Sequence, residues 1–299
     1  MGTLHRNSCL VCQSTNIKDT IVLKDHSHTG EAFTVFECSD CGFNFTQDVP
    51  DEQSIGPYYK SENYISHSDT QKSFFFKLYH FARSYMLKKK RNLIISETGL
   101  KKGNILDIGT GTGYFLNTMI EKGWSGEGIE QDDQTRGFAK DKFNLKVRDT
   151  FEFYNLPPEK FNAITMWHVL EHVHDLNGYL KKIHSILKSN GIFVVAVPNH
   201  KSFDQEYYKE YWAAWDIPIH LWHFNPSTIK KLMDCHGFRV QKTISMPLDA
   251  VYVSMLSEQY KTGKKLLGLY KGIIFALKGK IHPEKCSSVI YIIKKKIIK

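Results

Sequence analysis

Four cysteines stand in two pairs, Cys9-Leu-Val-Cys12 and Cys38-Ser-Asp-Cys41, with 25 residues between the pairs. Each C-x2-C turn can aim two thiolates at one point, and four thiolates suit one tetrahedral zinc ion. A site closed by four sulfurs has no open coordination position. The expected chemistry is therefore structural: the ion folds about forty residues that are too few to fold alone. The competing reading is four free thiols or a redox pair in a reducing compartment. Cys235 and Cys286 lie outside this spacing and are read as packing residues.

A second constellation is the run Asn104-Ile-Leu-Asp-Ile-Gly-Thr-Gly-Thr-Gly-Tyr-Phe-Leu116. Gly109, Gly111 and Gly113, with Thr110 between them, predict a tight turn from a strand into a helix. Glycines there let the backbone approach a ligand, and the helix N-terminus faces it. A dinucleotide fingerprint would need G-x-G-x-x-G/A. Counted from Gly109 the last glycine is Tyr114, and counted from Gly111 it is Leu116, so neither register fits. Asp107, two residues before the loop, would repel a pyrophosphate. It suits the cationic amino-acid end of S-adenosyl-L-methionine.

The elements that must position these residues follow from the hydrophobic pattern. Ile105, Leu106 and Ile108 read as a first, short apolar strand. A second, Gly126–Glu130, ends in an acid that can accept both hydroxyls of a ribose. A third, Asn144–Val147, leads to Asp149 and Thr150, placed to reach an adenine. The fourth, Ala163–Trp167, runs into His168-Val-Leu-Glu171-His172. A helix over 176–188 is stopped by Gly191, which opens a fifth strand, Ile192–Val197. Asn225-Pro226 caps a helix ended by Gly237. Strands alternating with helices predict a parallel sheet covered on both faces, with the ligand at the carboxyl ends of its first strands.

With Leu106-Asp-Ile-Gly-Thr-Gly-Thr-Gly113, Gly128-Ile-Glu130 and His168-Val-Leu-Glu-His172, the chain resembles class I S-adenosylmethionine-dependent methyltransferases. The last motif resembles their small-molecule branch, which includes ubiquinone-type O-methyltransferases. The cysteine-rich start resembles the N-terminal part of sugar C-methyltransferases. Asn162 stands where that family often has Asp. The resemblance implies an α/β fold: a Rossmann-like seven-stranded sheet with helices on both faces and an antiparallel last strand, preceded by a small four-cysteine zinc ribbon. Phe238–Ile244 and Ser288–Ile293 can be strands six and seven, with two helices, about 248–261 and 264–277, between them. The domains expected are 1–48, the ribbon; 49–98, a linker and helical lid; and 99–299, the methyltransferase. The cofactor set is then Asp107, Gly109, Thr110, Gly111, Gly113, Glu130, Asp149, Thr150 and Trp167.

Methyl transfer from a sulfonium is an in-line displacement, and a hydroxyl acceptor needs a base to take its proton. The candidates are His168, Glu171 and His172, just past the fourth strand, and His220 in the aromatic segment 207–222. Glu171 has two other readings, a helix cap and, with a histidine, a ligand of a divalent metal. The aromatic segment is expected to cover the acceptor pocket, with a place in the core as the other reading. Tyr58, Tyr59 and Tyr64 are either packing residues of a linker or a lid. Phe74, Leu78, Phe81 and Tyr85 predict a helix that follows them.

Apolar residues are 41% and charged residues 24% of 299, values that exclude a disordered or low-complexity chain. No apolar run approaches a membrane span, and Met1–Leu10 is polar and carries Cys9, so no signal peptide is expected and the chain is placed in the cytoplasm. From Lys261 onward eleven lysines face Glu284 alone, +10 in all, while the whole chain is +9. The first 260 residues are thus near neutral, which argues against a nucleic-acid footprint on the catalytic face. Leu266, Tyr270, Ile273, Ile274 and Leu277 share a helical face amid lysines. That helix either packs this face on the domain or, with Lys294–Lys299, touches anionic membrane. The function expected is methyl transfer to a small molecule, such as a sugar or a glycan- or lipid-linked precursor. A zinc-ribbon RNA-modifying enzyme, an NAD-dependent oxidoreductase and a non-catalytic methyltransferase-like partner are the alternatives.

Overall fold

A computed structural model of the chain describes residues 2–59 and 74–296. Tyr64 lies outside them, as do the side chains of Phe74, Leu78 and Phe81. Seven strands form the main sheet: β1 (Asn104–Ile108), β2 (Ser125–Ile129), β3 (Val147–Arg148), β4 (Phe161–Trp167), β5 (Leu187–Pro198), β6 (Phe238–Ser245) and β7 (Ser288–Lys295). Their order is β6-β7-β5-β4-β1-β2-β3. β1 runs parallel to β2 and β4, setting Asp107 opposite Gly128 and Thr165, and β2 runs parallel to β3. This is the Rossmann-like sheet expected. Its middle strands are buried almost throughout, as strands covered on both faces must be.

Among the described residues eight helices accompany it: α1 (Phe74–Thr98), α2 (Tyr114–Ile120), α3 (Asp133–Phe143), α4 (Leu176–Ile186), α5 (Phe203–Tyr208), α6 (Pro226–Cys235), α7 (Leu248–Thr262) and α8 (Lys265–Ile281). Two boundaries differ from the sequence reading for local reasons. Asn144 does not open β3; it closes α3 in the left-handed conformation, φ 53°. Gly191 lies inside β5, which starts at Leu187, and a Cβ there would meet Leu187 Cδ1 at 2.7 Å. Asn225 caps α6 as expected, its side chain accepting the N–H groups of Ser227 and Thr228.

The backbone clusters into two compact units, one of residues 1–64, 168–179 and 195–291, the other of 65–167, 180–194 and 292–299. The first holds the cysteine-rich sheet. Ile17–Lys24 pairs with Ala32–Cys38, which pairs with Asn44–Thr46. A fourth strand, Trp222–His223, comes from the aromatic segment and pairs with Asn44 and Phe45. That segment is core, contrary to the pocket cover expected of it. Tyr208, Trp212, Trp215 and Ile217 are buried with Leu23, Val35 and Val253. Large aromatic surfaces are most stable out of water, and here the small cysteine-rich sheet supplies the partner surface.

The second unit is built on β1, β2 and β4. Its Asn162 Oδ1 accepts from the Asn104 N–H (3.0 Å) and from Lys188 Nζ (3.3 Å). An amide oxygen thus makes the contacts available to an aspartate at that position.

Candidate functional site

In the second unit, the turn after β1 carries three positive φ angles: 67° at Gly109, 54° at Gly111 and 80° at Gly113. The N–H groups of Gly109 and Thr110 both donate to Ile129 O, at 2.8 and 3.0 Å, which ties the turn to the end of β2. A Cβ on Gly113 would collide with Leu145, so this glycine is required for packing. At Gly111 a Cβ would meet nothing within 4 Å. Its surface is open, and the left-handed backbone is what keeps a side chain off it.

Glu130 is the residue that organises this turn. Its Oε2 accepts the Gly111 N–H at 2.8 Å and its Oε1 accepts the Asp132 N–H at 3.2 Å. Each carboxylate oxygen has a second lone pair to offer a ligand hydroxyl. An open glycine face beside a fixed carboxylate fits the nucleoside part of S-adenosyl-L-methionine.

Asp107 is buried, and its Oδ1 accepts the Thr165 hydroxyl at 2.5 Å. Burial pushes its carboxyl up to about 6, against the hydrogen bonds of Thr165 and Thr110 and the charge of Lys90. Trp167 ends β4 with its indole N–H buried and without a hydrogen-bond partner among the described residues. Lys90 Nζ lies 4.3 Å from the Trp167 ring centre, and Phe115 meets that ring edge-on. Lys90 has no motif around it and was not anticipated. Asp149 is not free: its Oδ2 pairs with Arg136 at 2.8 Å and its Oδ1 accepts the Phe151 N–H, capping the short helical turn Thr150–Asn155.

In the first unit, His168, Glu171, His172 and His220 come together. His168 is left-handed, φ 58°, a conformation uncommon for residues other than glycine. Its Nε2 lies 2.9 Å from Asp249 Oδ2 and its Nδ1 3.4 Å from Glu171 Oε1. Burial works against the imidazolium, but the two carboxylates outweigh it and raise His168 to about 10. It is a cation at neutral pH.

Glu171 is fully buried. Desolvation pushes it up, yet His168, His172 and His220 hold it below its ordinary value. His172 faces the opposite balance: burial, then His220, lower it to about 4. His220 is lowered too, mainly by burial. Their tautomers follow from their neighbours. His172 Nδ1 lies 3.0 Å from Ile219 O, and His220 Nδ1 lies 2.9 Å from Ala214 O. A carbonyl only accepts, so both Nδ1 atoms carry the proton and both Nε2 atoms are bare acceptors. The rings meet edge-to-face at 4.6 Å. Ligand atoms of Glu171, His172 and His220 all lie within 4.8 Å of one another. Tyr59 from the linker reaches His172 Nδ1 with its hydroxyl at 3.3 Å, whereas Tyr58 donates to Glu31.

The same unit holds the four cysteines. Their Sγ atoms also lie within 4.8 Å of one another, with 3.5 Å from Cys9 to Cys41 and 3.4 Å from Cys12 to Cys38. Tetrahedral zinc with bonds of about 2.3 Å sets sulfurs roughly 3.8 Å apart, so the donor set fits. The two knuckles share one geometry. Gln13 N–H donates to Cys9 O at 2.9 Å and Gly42 N–H to Cys38 O at 2.7 Å, each from a left-handed residue. Cys286 is buried, as a packing residue should be, but Cys235 is exposed.

A family model described as a methyltransferase domain matches residues 79–243. The chain is 32% identical over 113 residues to a ubiquinone biosynthesis O-methyltransferase of Pelagibacter ubique, covering 35% of this chain and 45% of that one. It is 21% identical over 148 residues to a Mycolicibacterium smegmatis protein named as a probable S-adenosylmethionine-dependent methyltransferase, covering 48% and 54%. The chain thus spans about half the length of the curated relatives it matches. Among solved structures, a Galdieria sulphuraria protein provisionally named as a sarcosine dimethylglycine methyltransferase shares the fold, with a TM-score of 0.52 and 14% identity over 74% of this chain and 88% of that one.

Proposed function

This chain belongs to the methyltransferase-domain family, and from that premise we propose that it transfers a methyl group from S-adenosyl-L-methionine to a small-molecule acceptor. The observation that carries this reading is the Glu130 carboxylate fixed to the Gly111 N–H beside an open glycine surface. When bound, the sulfonium supplies an electrophilic methyl carbon. The chain's own residues do the rest. Gly109, Thr110, Gly111 and Gly113 shape the turn, and Glu130 accepts the ribose hydroxyls. Asp107 attracts the cationic amino-acid end, with Trp167 alongside. Asp149 and Thr150 take the adenine edge, Asp149 sharing its charge with Arg136.

His172 and His220 serve as proton acceptors, since each presents a bare Nε2 and remains neutral at physiological pH. Glu171 stabilises the imidazolium that forms. His168 is unsuited to be the base because its two carboxylate partners keep it protonated; its role is a fixed positive charge that orients Glu171. A hydroxyl is the nucleophile that such a cluster serves best, and the Pelagibacter relative is an O-methyltransferase by name. Sugars and glycan- or lipid-linked precursors are the acceptor class favoured, from the resemblance of the cysteine-rich start. The four cysteines hold one structural zinc ion, and residues 1–48, 49–98 and 99–299 act as ribbon, linker and transferase.

The test is transfer of label from methyl-labelled cofactor to a panel of hydroxyl-bearing small molecules and activated sugars. His172→Ala and His220→Ala should each lower turnover by about 10²–10⁴-fold with cofactor affinity retained. A second reading rests on the clustering of Glu171, His172 and His220: these three hold a divalent cation. Turnover that rises when magnesium or manganese is added to the zinc-loaded protein would favour it.

A further inference from the structure

α8 is packed the opposite way from an ordinary amphipathic helix. Gly268, Gly272 and Gly279 are its buried residues. A Cβ on Gly272 would meet Val251 Cα of α7 at 2.6 Å, and one on Gly279 would meet Cys286 Sγ at 2.9 Å. The glycine edge is therefore the one in contact with the rest of the unit. At 100° per residue, the opposite edge is made by Leu266, Tyr270, Ile273, Leu277 and Ile281. These five are 48–81% exposed. Phe275 packs inward beside the glycines, against the core around Tyr208, while these five apolar side chains face outward.

The flanks of this stripe are basic. Lys265 and Lys280 fall on one side of it and Lys271 and Lys278 on the other, with Lys264 just before the helix. Acidic residues are missing from the whole of Lys265–Ile281. Lys271 is committed to Glu258 and the Tyr207 hydroxyl, and Lys278 lies over the Phe203 ring. Lys264, Lys265 and Lys280 are exposed at the surface. No helix among the described residues is long and apolar enough to cross a membrane.

We propose that α8 lies flat on an anionic lipid surface, with Leu266, Tyr270, Ile273, Leu277 and Ile281 entering the acyl boundary and the flanking lysines meeting the headgroups. An apolar stripe bordered by lysines on both sides is the pattern of an interfacial helix. Charge decides the occupant. Two copies of this face would set lysines against lysines, whereas anionic headgroups complement them. Lys295 takes no part, since it belongs to the second unit and pairs there with Glu159.

The experiment is vesicle co-sedimentation of the full chain, zinc-loaded, with phosphatidylcholine alone and with phosphatidylcholine containing phosphatidylglycerol. The proposal expects binding to the anionic vesicles that weakens with added salt, and at least about tenfold weaker binding for Leu277→Ser with Tyr270→Ser. Because both positions face outward, this variant should keep its thermal midpoint and its affinity for S-adenosylhomocysteine. Binding that ignores lipid charge, or anionic binding untouched by the double variant, overturns the proposal. So does a concentration-dependent dimer that the variant abolishes while vesicles are not bound.

Discussion

Asp249 Oδ2 stands 2.9 Å from His168 Nε2, on the far side of the ring from Glu171. One imidazole is held between two carboxylates, and the histidine that opens the His-x-x-Glu-His motif is a cation. Its folded-state value, about 10, lies above the ordinary 6.5. The stabilisation from this cluster is therefore fully present below 6.5 and is lost as pH rises through about 10. Ring resonances should show His168 titrating near 10 and His172 near 4. Asp249→Asn should bring His168 down by more than about one unit, the scale of a lost charged partner. A His168 that titrates at its ordinary value in the intact protein would contradict the geometry.

Asp107 gives a pH dependence of the opposite kind. Burial raises its carboxyl to about 6, so the buried charge is neutralised as pH falls through that value. If it attracts the cationic end of the cofactor, affinity should fall below about pH 6 and hold above it. Asp107→Asn should remove that dependence. Calorimetric titrations with S-adenosylhomocysteine across this range provide the check, and parallel curves for the two proteins would refute the role.

Zinc should be present at one ion per chain. Cys12 is the exposed member of the set, so Cys12→Ser leaves no cavity and tests the metal alone. It should release zinc and lower thermal stability. Near-ultraviolet circular dichroism should change with it, because Trp222 stacks on Phe43 and its strand pairs with Phe45 in the cysteine-rich sheet. Metal analysis that finds no zinc in the native protein would remove the structural role.

The packing of α8 makes a separate prediction about stability. Gly272→Val places a branched side chain against Val251 Cα and Ala250 O. Overpacking of this kind costs about 1–3 kcal/mol. A denaturant midpoint unchanged by the substitution would mean that the glycine edge is not where α8 meets α7.

The sheet was readable because its signals are local. Ile105, Leu106 and Ile108, the three glycines and Glu130 sit within a few residues of the strand ends that they define, and the family motif spans them. What escaped was non-local. Asp249 lies 81 residues from His168, and no spacing rule joins them. Trp222–His223 joins the cysteine-rich sheet from more than 170 residues away, so the aromatic segment was read as a cover when it is core. In α8 the periodicity identified an apolar face correctly. It could not say which face is buried: Gly268 and Gly272 lie on the contact surface.

The proposed function rests on Glu130 and the Gly111 turn holding the nucleoside of a methyl donor. The most direct measurement is calorimetric titration of the zinc-loaded protein with S-adenosylhomocysteine, beside Glu130→Ala. Binding should be saturable at one site and weaker by about 1–3 kcal/mol in the variant, the cost of unpairing hydrogen bonds to a charged group. Equal affinity in the two proteins, or binding of a nicotinamide dinucleotide in its place, would contradict it.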